Sequence, residues 1–217
     1  MRFLFFITLA IFLASCSKTR VEMISLNPNI KSISSENKKI WDVFDRKINI
    51  LIIDNRINKF QLDSDLKNYR KDKIIYLDEG EIVYLDEVIG YKKYSKDEIT
   101  YLALNQNIMP VLRSELAKGL RDKGFAIVGD DYDRILTLIL EDFSYITKKD
   151  GFFTDSQLYL KLKVKSGLYD KSYDIIISDK HFLSSSIEND KKIINDTIKN
   201  LILSILNNRK LILMLQG

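Results

Sequence analysis

Ser156-Gln-Leu-Tyr-Leu-Lys-Leu-Lys-Val-Lys-Ser166 alternates without a break: Leu158, Leu160, Leu162 and Val164 fall on one face, Tyr159, Lys161, Lys163 and Lys165 on the other. Successive side chains of a β-strand point to opposite faces, so a period of two predicts a strand with one dry face and one wet face. That pattern belongs to an antiparallel sheet covered on one side only. The flanking sequence agrees. Arg134 to Ile146 is dominated by Ile135, Leu136, Leu138, Ile139 and Leu140 and predicts a long strand. Lys148 to Gly151 and Gly167 to Lys171 supply turns, and Ser172 to Leu183 the next strand.

Helices are expected on either side of this block. Asn107 is a good N-cap, and Pro110, poorly tolerated inside a helix, is acceptable in its first turn. The helix therefore starts near Asn107, and Glu98 to Leu104 is extended. Val111, Leu112, Leu116 and Leu120 form its apolar face, Arg113, Lys118 and Arg121 lie elsewhere, and Lys123-Gly124 stops it. Phe125 to Val128 is a short strand, and Gly129-Asp130-Asp131 a turn. Ser186 to Asp190 carries helix-start chemistry, followed by Ile194, Ile198, Leu201, Ile202 and Ile205 at helical spacing. The apolar tail Leu211 to Leu215 is expected to pack.

Upstream, Lys47 to Asp54 (KINILIID) is short, apolar and rich in β-branched residues, which predicts a strand buried on both faces. Residues 55–72 are polar and read as a loop. Ile75-Tyr-Leu-Asp-Glu79 is echoed by Val83-Tyr-Leu-Asp-Glu87, with Glu79-Gly80-Glu81 between, and predicts a β-hairpin. Its acids Asp78, Glu79, Asp86 and Glu87 lack the spacing of a calcium loop and read as a solvated rim. The expected fold class is α+β, a mostly antiparallel sheet with two main helices packed on one face. Residues 46–217 form a single domain, and residues 16–45 a tether with a short extended piece near Val21 to Leu26. Trp41, Val43 and Phe44 are expected against the domain edge.

The 217 residues are 46% hydrophobic and 29% charged, with 11 Tyr, 11 Phe, only 2 Pro and 8 Gly, which suits a folded domain with a sizeable core. The formal net charge is +4, from 34 basic and 30 acidic residues. Such a mixed surface is not the footprint of a nucleic-acid binder.

Residues 1–15 read MRFLFFITLAIFLAS. Arg2 and the apolar run from Phe3 to Leu13 match a signal peptide, and the run is too short for an ordinary membrane span of ~20 residues. It ends in Leu13-Ala14-Ser15-Cys16, and Cys16 is the only cysteine of the chain. The four residues resemble the lipobox of bacterial lipoproteins. The resemblance implies cleavage between Ser15 and Cys16 and acylation of Cys16, including its new amine. Each buried methylene contributes ~0.8 kcal/mol, so two or three acyl chains give a stable anchor. Ser17, where sorting to the inner membrane uses Asp, implies the outer membrane.

Little else carries chemistry. A nucleophilic triad would have to use His181, the one histidine, which lies in a predicted strand and reads as structural. Metal-ligand clusters, phosphate loops and a GxSxG elbow are absent from the sequence. Neither cofactor nor metal is expected. Asp130-Asp131 reads as a turn, and Glu141-Asp142 gives no inference of a glycosidase pair. Lys161, Lys163 and Lys165 make a basic stripe, either a solvated face or a contact for anionic lipid or an acidic partner.

Together these stretches resemble the YajG-like family of bacterial lipoproteins. The resemblance runs through the lipobox with VEMISLNPNI (21–30), INILIIDNR (48–56), VLRSELAKGLRDKGFAIVGDD (111–131) and RILTLILEDF (134–143), while residues 57–97 are longer than the family pattern. It implies an envelope lipoprotein with a compact α/β domain, periplasmic or surface-exposed, and transfers no active residue beyond Cys16. The expected function is that of a non-enzymatic, lipid-tethered module that binds an envelope protein or maintains the envelope. The alternative is an accessory subunit of a transport or outer-membrane assembly complex.

Overall fold

A computed structural model describes residues 20–29, 46–56, 74–76, 82–84, 88–93, 99–182 and 186–217. Cys16, the signal segment, Trp41, Val43, Phe44, the acids Asp78, Glu79, Asp86 and Glu87, and the Glu79–Glu81 turn lie outside them. The elements are β1 (Arg20–Ile24), β2 (Lys47–Asp54), β3 (Ile74–Tyr76), β4 (Ile82–Tyr84), β5 (Val88–Lys93), β6 (Ile99–Leu104), α1 (Ile108–Asp122), β7 (Ala126–Ile127), β8 (Arg134–Asp150), β9 (Phe153–Ser166), β10 (Tyr169–Phe182), α2 (Ile187–Leu206) and α3 (Arg209–Gln216).

The long strand β8 organises the sheet. Along one edge it pairs antiparallel with β9, which pairs antiparallel with β10. Its other edge is shared. The first half pairs with β2, from Ile48↔Arg134 to Asp54↔Leu140, and the second half with β5, from Gly90↔Tyr145 to Lys93↔Lys148. Both pairings are parallel, as are β1 with β6 and β2 with β7. Only β5 with β6 returns to antiparallel on that side. The class is α+β as expected, but the sheet is mixed rather than mostly antiparallel. The reason is connection length: the chain between β2 and β8 contains α1 and other elements, long enough to cross over and return in the same direction. β3 and β4 pair antiparallel as a separate two-stranded sheet, with Ile75 opposite Val83.

Two bulges keep the apolar residues inward. Between Leu140 and Asp142 the ladder shifts by one residue, so Leu140 and Phe143, an odd number of positions apart, are both buried. A second shift between Val88 and Gly90 sends Ile89 into the main core, while Val88 joins a smaller cluster with Tyr101 and Ala103. Gly90 is fixed by close approach: a Cβ there would lie 1.5 Å from the Tyr145 carbonyl oxygen.

α1 starts at the expected cap Asn107 and α2 within the expected start segment Ser186–Asp190, whereas the helix α3 and its cap Asn208 were not foreseen. The Asn107 side chain accepts from Met109 N, Ser186 from Asn189 N, and Asn208 from Leu211 N. Gly124, at φ 92°, takes the left-handed turn after α1. Leu112, Leu116 and Leu120 of α1 and Ile194, Ile198, Leu201, Ile202 and Ile205 of α2 meet Leu158, Leu160, Leu162 and Val164 of β9 in one cluster. The apolar tail is a third helix, α3, seated on Leu211, Ile212 and Leu215.

Two expectations need correction beyond the sheet type. β2 is not buried on both faces: Ile48 and Ile50 are buried, but Leu51 and Ile53 are 48% and 42% exposed. The helices cover only one side, so a continuous apolar run does not imply two covered faces. The extended piece counted with the tether is a strand of the sheet, and Ile24 and Leu26 are buried in the core.

Candidate functional site

A cluster of ionisable side chains lies inside the core. Lys92 on β5 faces inward beside Thr100 of β6 and Thr147 of β8, its partners in register. Its side chain is 1% exposed. The Nζ lies 2.6 Å from Glu22 Oε2 on β1 and 2.6 Å from Asp190 Oδ2, which is fully buried. Asp190 comes from the first turn of α2, where a carboxylate also suits the positive end of the helix dipole. Its other oxygen accepts a 2.6 Å hydrogen bond from the Tyr145 hydroxyl. Thr147 and Ser156 complete the polar end of the core with a 3.0 Å hydroxyl pair.

Burial would pull the Lys92 ammonium towards neutrality, but the hydrogen bonds to Asp190 and Glu22 outweigh it and leave the pKa raised. Burial and the bond to Asp190 push the Tyr145 phenol well above its ordinary range. Lys92 therefore stays an ammonium and Tyr145 a phenol, and neither is poised as a base or nucleophile at neutral pH. What the cluster does chemically is hold: one cation ties β1 and α2 to the middle of the sheet. Sequence reading missed it, although two lysines closing an otherwise uncharged strand (VIGYKK) and an aspartate four residues after Ser186 were visible signals.

His181 lies in β10, the expected strand, with its side chain 23% exposed. Its Nε2 is 3.0 Å from Asp179 Oδ2 and 2.9 Å from Asn189 Nδ2, so it links the strand to the start of α2. Asp131 forms an ion pair with Lys47 at the opposite end of the sheet.

The uncovered sheet face carries the lysine stripe, matched by acids on the flanking strands. Lys161 sits 3.1 Å from Glu141, and Lys163 and Lys165 lie 3.3 and 3.6 Å from Asp170. Beside them Leu51, Ile53, Ile135 and Ile176 remain exposed. At the β8–β9 turn, Phe152 is 73% and Phe153 45% exposed, and Phe182 at the end of β10 is 66% exposed. Phe153 and Phe182 meet edge to face at 5.9 Å, with Lys180 Nζ 4.8 Å over the Phe153 ring.

Among the described residues no group of three or more His, Cys, Asp and Glu could hold a metal ion, and no helix is long and apolar enough to cross a membrane. No curated protein is similar to this chain in sequence. Several solved structures resemble it, among them the following two. One is a protein from Xanthomonas campestris, 8% identical, TM-score 0.43, covering 86% of this chain and 92% of that one. The other is a Helicobacter pylori protein described as a neuraminyllactose-binding hemagglutinin homolog, 11% identical, TM-score 0.44, covering 89% and 97%. Residues 86–216, from the edge of β5 to the end of α3, match the family described as Uncharacterized lipoprotein, and the chain belongs to that family of YajG-like lipoproteins.

Proposed function

We propose that the protein is a lipid-anchored module of the cell envelope, attached through acyl chains on Cys16, and that it acts by binding rather than by catalysis. The observation that carries this reading is Leu13-Ala14-Ser15-Cys16 at the end of an apolar run of signal-peptide length. Membership of a lipoprotein family supports it. The inward, charge-matched Lys92–Asp190–Glu22 cluster is consistent with a stabilising use of the buried charges. Ser17 favours the outer membrane. The test is metabolic labelling with palmitate in the native host, followed by flotation of membranes. The parent chain should incorporate label and float, and Cys16→Ala should do neither. Label retained by the alanine variant, or no label on the parent, rejects the anchor. His181→Ala should leave the cellular role intact; its loss would reopen a catalytic reading.

A second reading, an accessory subunit of an envelope transport or assembly complex, is favoured by the exposed apolar side chains Leu51, Ile53, Ile135 and Ile176 on the open face. Crosslinking in intact cells separates the two. A defined large complex supports the subunit role, and a chain that stays monomeric rejects it.

A further inference from the structure

The register of the sheet places Arg20 and the β8–β9 hairpin at the same end of the molecule. One row runs across five strand pairings: Arg20↔Thr100, Thr100↔Lys92, Lys92↔Thr147, Thr147↔Ser156, Ser156↔Asp179. β8 continues beyond that row through Lys148 and Lys149, turns at Gly151-Phe152, and returns as β9 from Phe153. At about 3.4 Å per residue the turn projects roughly 10 Å past the row. The chain enters the same row from the other direction. Cys16 precedes Arg20 by four residues, which span at most about 14 Å. Three or four strands at about 4.8 Å separate β1 from the hairpin, so the lateral offset is less than about 20 Å.

The tip has the chemistry of an interfacial contact. Phe152, Phe153 and Phe182 are exposed aromatics grouped within one turn and one strand end. Lys180 Nζ lies over the Phe153 ring, and Lys148 and Lys149 are near the end of β8; all three are exposed. Acids share this end: Asp179 is bound to His181, Glu188 to Lys191, and the half-buried Asp155 lies in register between Lys148 and Lys180. Aromatic rings settle at the headgroup level, and lysines near an anionic leaflet are attracted to it.

We propose that the Phe152–Phe153–Phe182 tip, with its lysine collar, is a second membrane contact that docks on the anionic surface of the bilayer holding the lipidated Cys16. This rests on the anchoring reading above. Two contacts separated laterally hold the sheet upright, with β8 and β9 along the membrane normal, and point the Leu168 turn away from the bilayer.

The test uses the full lipidated chain in vesicles of phosphatidylethanolamine and phosphatidylglycerol carrying brominated acyl chains. Cys16 is the only native cysteine and is consumed by lipid, so Phe152→Cys and Leu168→Cys each offer one free thiol for a bimane label. Leu168, 93% exposed at the opposite end, is the control. Bimane at 152 is expected to be quenched several-fold more than at 168. Joint Lys148→Glu, Lys149→Glu and Lys180→Glu substitution in the Phe152→Cys chain should bring quenching down to the control level. In phosphatidylcholine alone, quenching at 152 should fall by about twofold or more. Equal quenching at the two positions, in protein that floats and carries palmitate, overturns the docking and leaves the anchor standing. Undiminished quenching in phosphatidylcholine overturns the assignment to anionic headgroups. Protein that neither floats nor carries palmitate overturns the anchor itself, and the docking with it.

Discussion

From Leu136 to Leu140, β8 lays leucines into the apolar cluster beneath the helices; a few residues on, the same strand lays Tyr145 and Thr147 against a lysine and an aspartate. Both halves turn one face into the buried core. They differ in what the burial specifies. Leucines are held by the hydrophobic effect, which is non-directional, so many packings of similar volume are nearly as good. An ammonium that must reach Glu22 and Asp190 together is satisfied by one placement of β1 and one rotation of α2. The apolar half supplies stability, and the charged half selects the arrangement.

Removing one charge breaks that comparison most sharply. Asp190→Ala leaves a buried ammonium with one carboxylate and the Tyr145 hydroxyl without its acceptor, and should cost about 3–5 kcal/mol in chemical denaturation. Lys92→Met combined with Asp190→Leu should lie nearer the parent than the Asp190 variant, because no unpaired charge remains. A single variant costing little would show the pair to be solvated. In the apolar half, Leu138→Ala should cost about 2–5 kcal/mol through the lost side chain and the residual cavity.

Alkaline pH sharpens the contrast with a smaller effect. The pKa values of Lys92 and Tyr145 are raised above their ordinary 10.5 and 10.0. A raised pKa means that the unfolded chain releases the proton first, so the stabilisation is complete below about 10 and is lost as pH climbs from there towards the raised values. Tyr169, buried and bonded to Tyr173, contributes in the same direction from the other end. Denaturation midpoints measured across this range should fall less steeply for Tyr145→Phe, whereas Leu138→Ala should lower the whole curve without changing its shape. Smallest of all, Lys163→Ala on the open face should be indistinguishable from the parent in thermal melts. It removes one exposed pair with Asp170, and such pairs contribute little.

Local features were legible in the sequence: the alternation of 156–166, the caps at Asn107 and Ser186, the Gly124 stop and the 75–87 echo all correspond to described elements. Each is written within a few residues, because capping, turning and facing are local acts. The direction of pairing is not. Nothing within KINILIID or VIGYKK states that both lie parallel along one edge of β8, and without that register Lys92 and Asp190 are merely two charges far apart in the chain. The exposure of Leu51 and Ile53 was hidden for the same reason: whether a strand has one covered face or two depends on where helices encoded elsewhere come to rest. The proposed anchor shows the opposite balance, since Cys16 is read from sequence alone.

β1 pairs with β6 in parallel through five residues, with Arg20 at its N-terminal end. A pull on that end loads the β1–β6 hydrogen bonds in shear, all together, rather than peeling them one at a time. The Glu22–Lys92 contact lies two residues inside the N-terminal end of β1 and loads with them. The edge of the sheet nearest the N-terminus is thus built as a mechanical clamp, and under force the domain should part there as a unit or not at all.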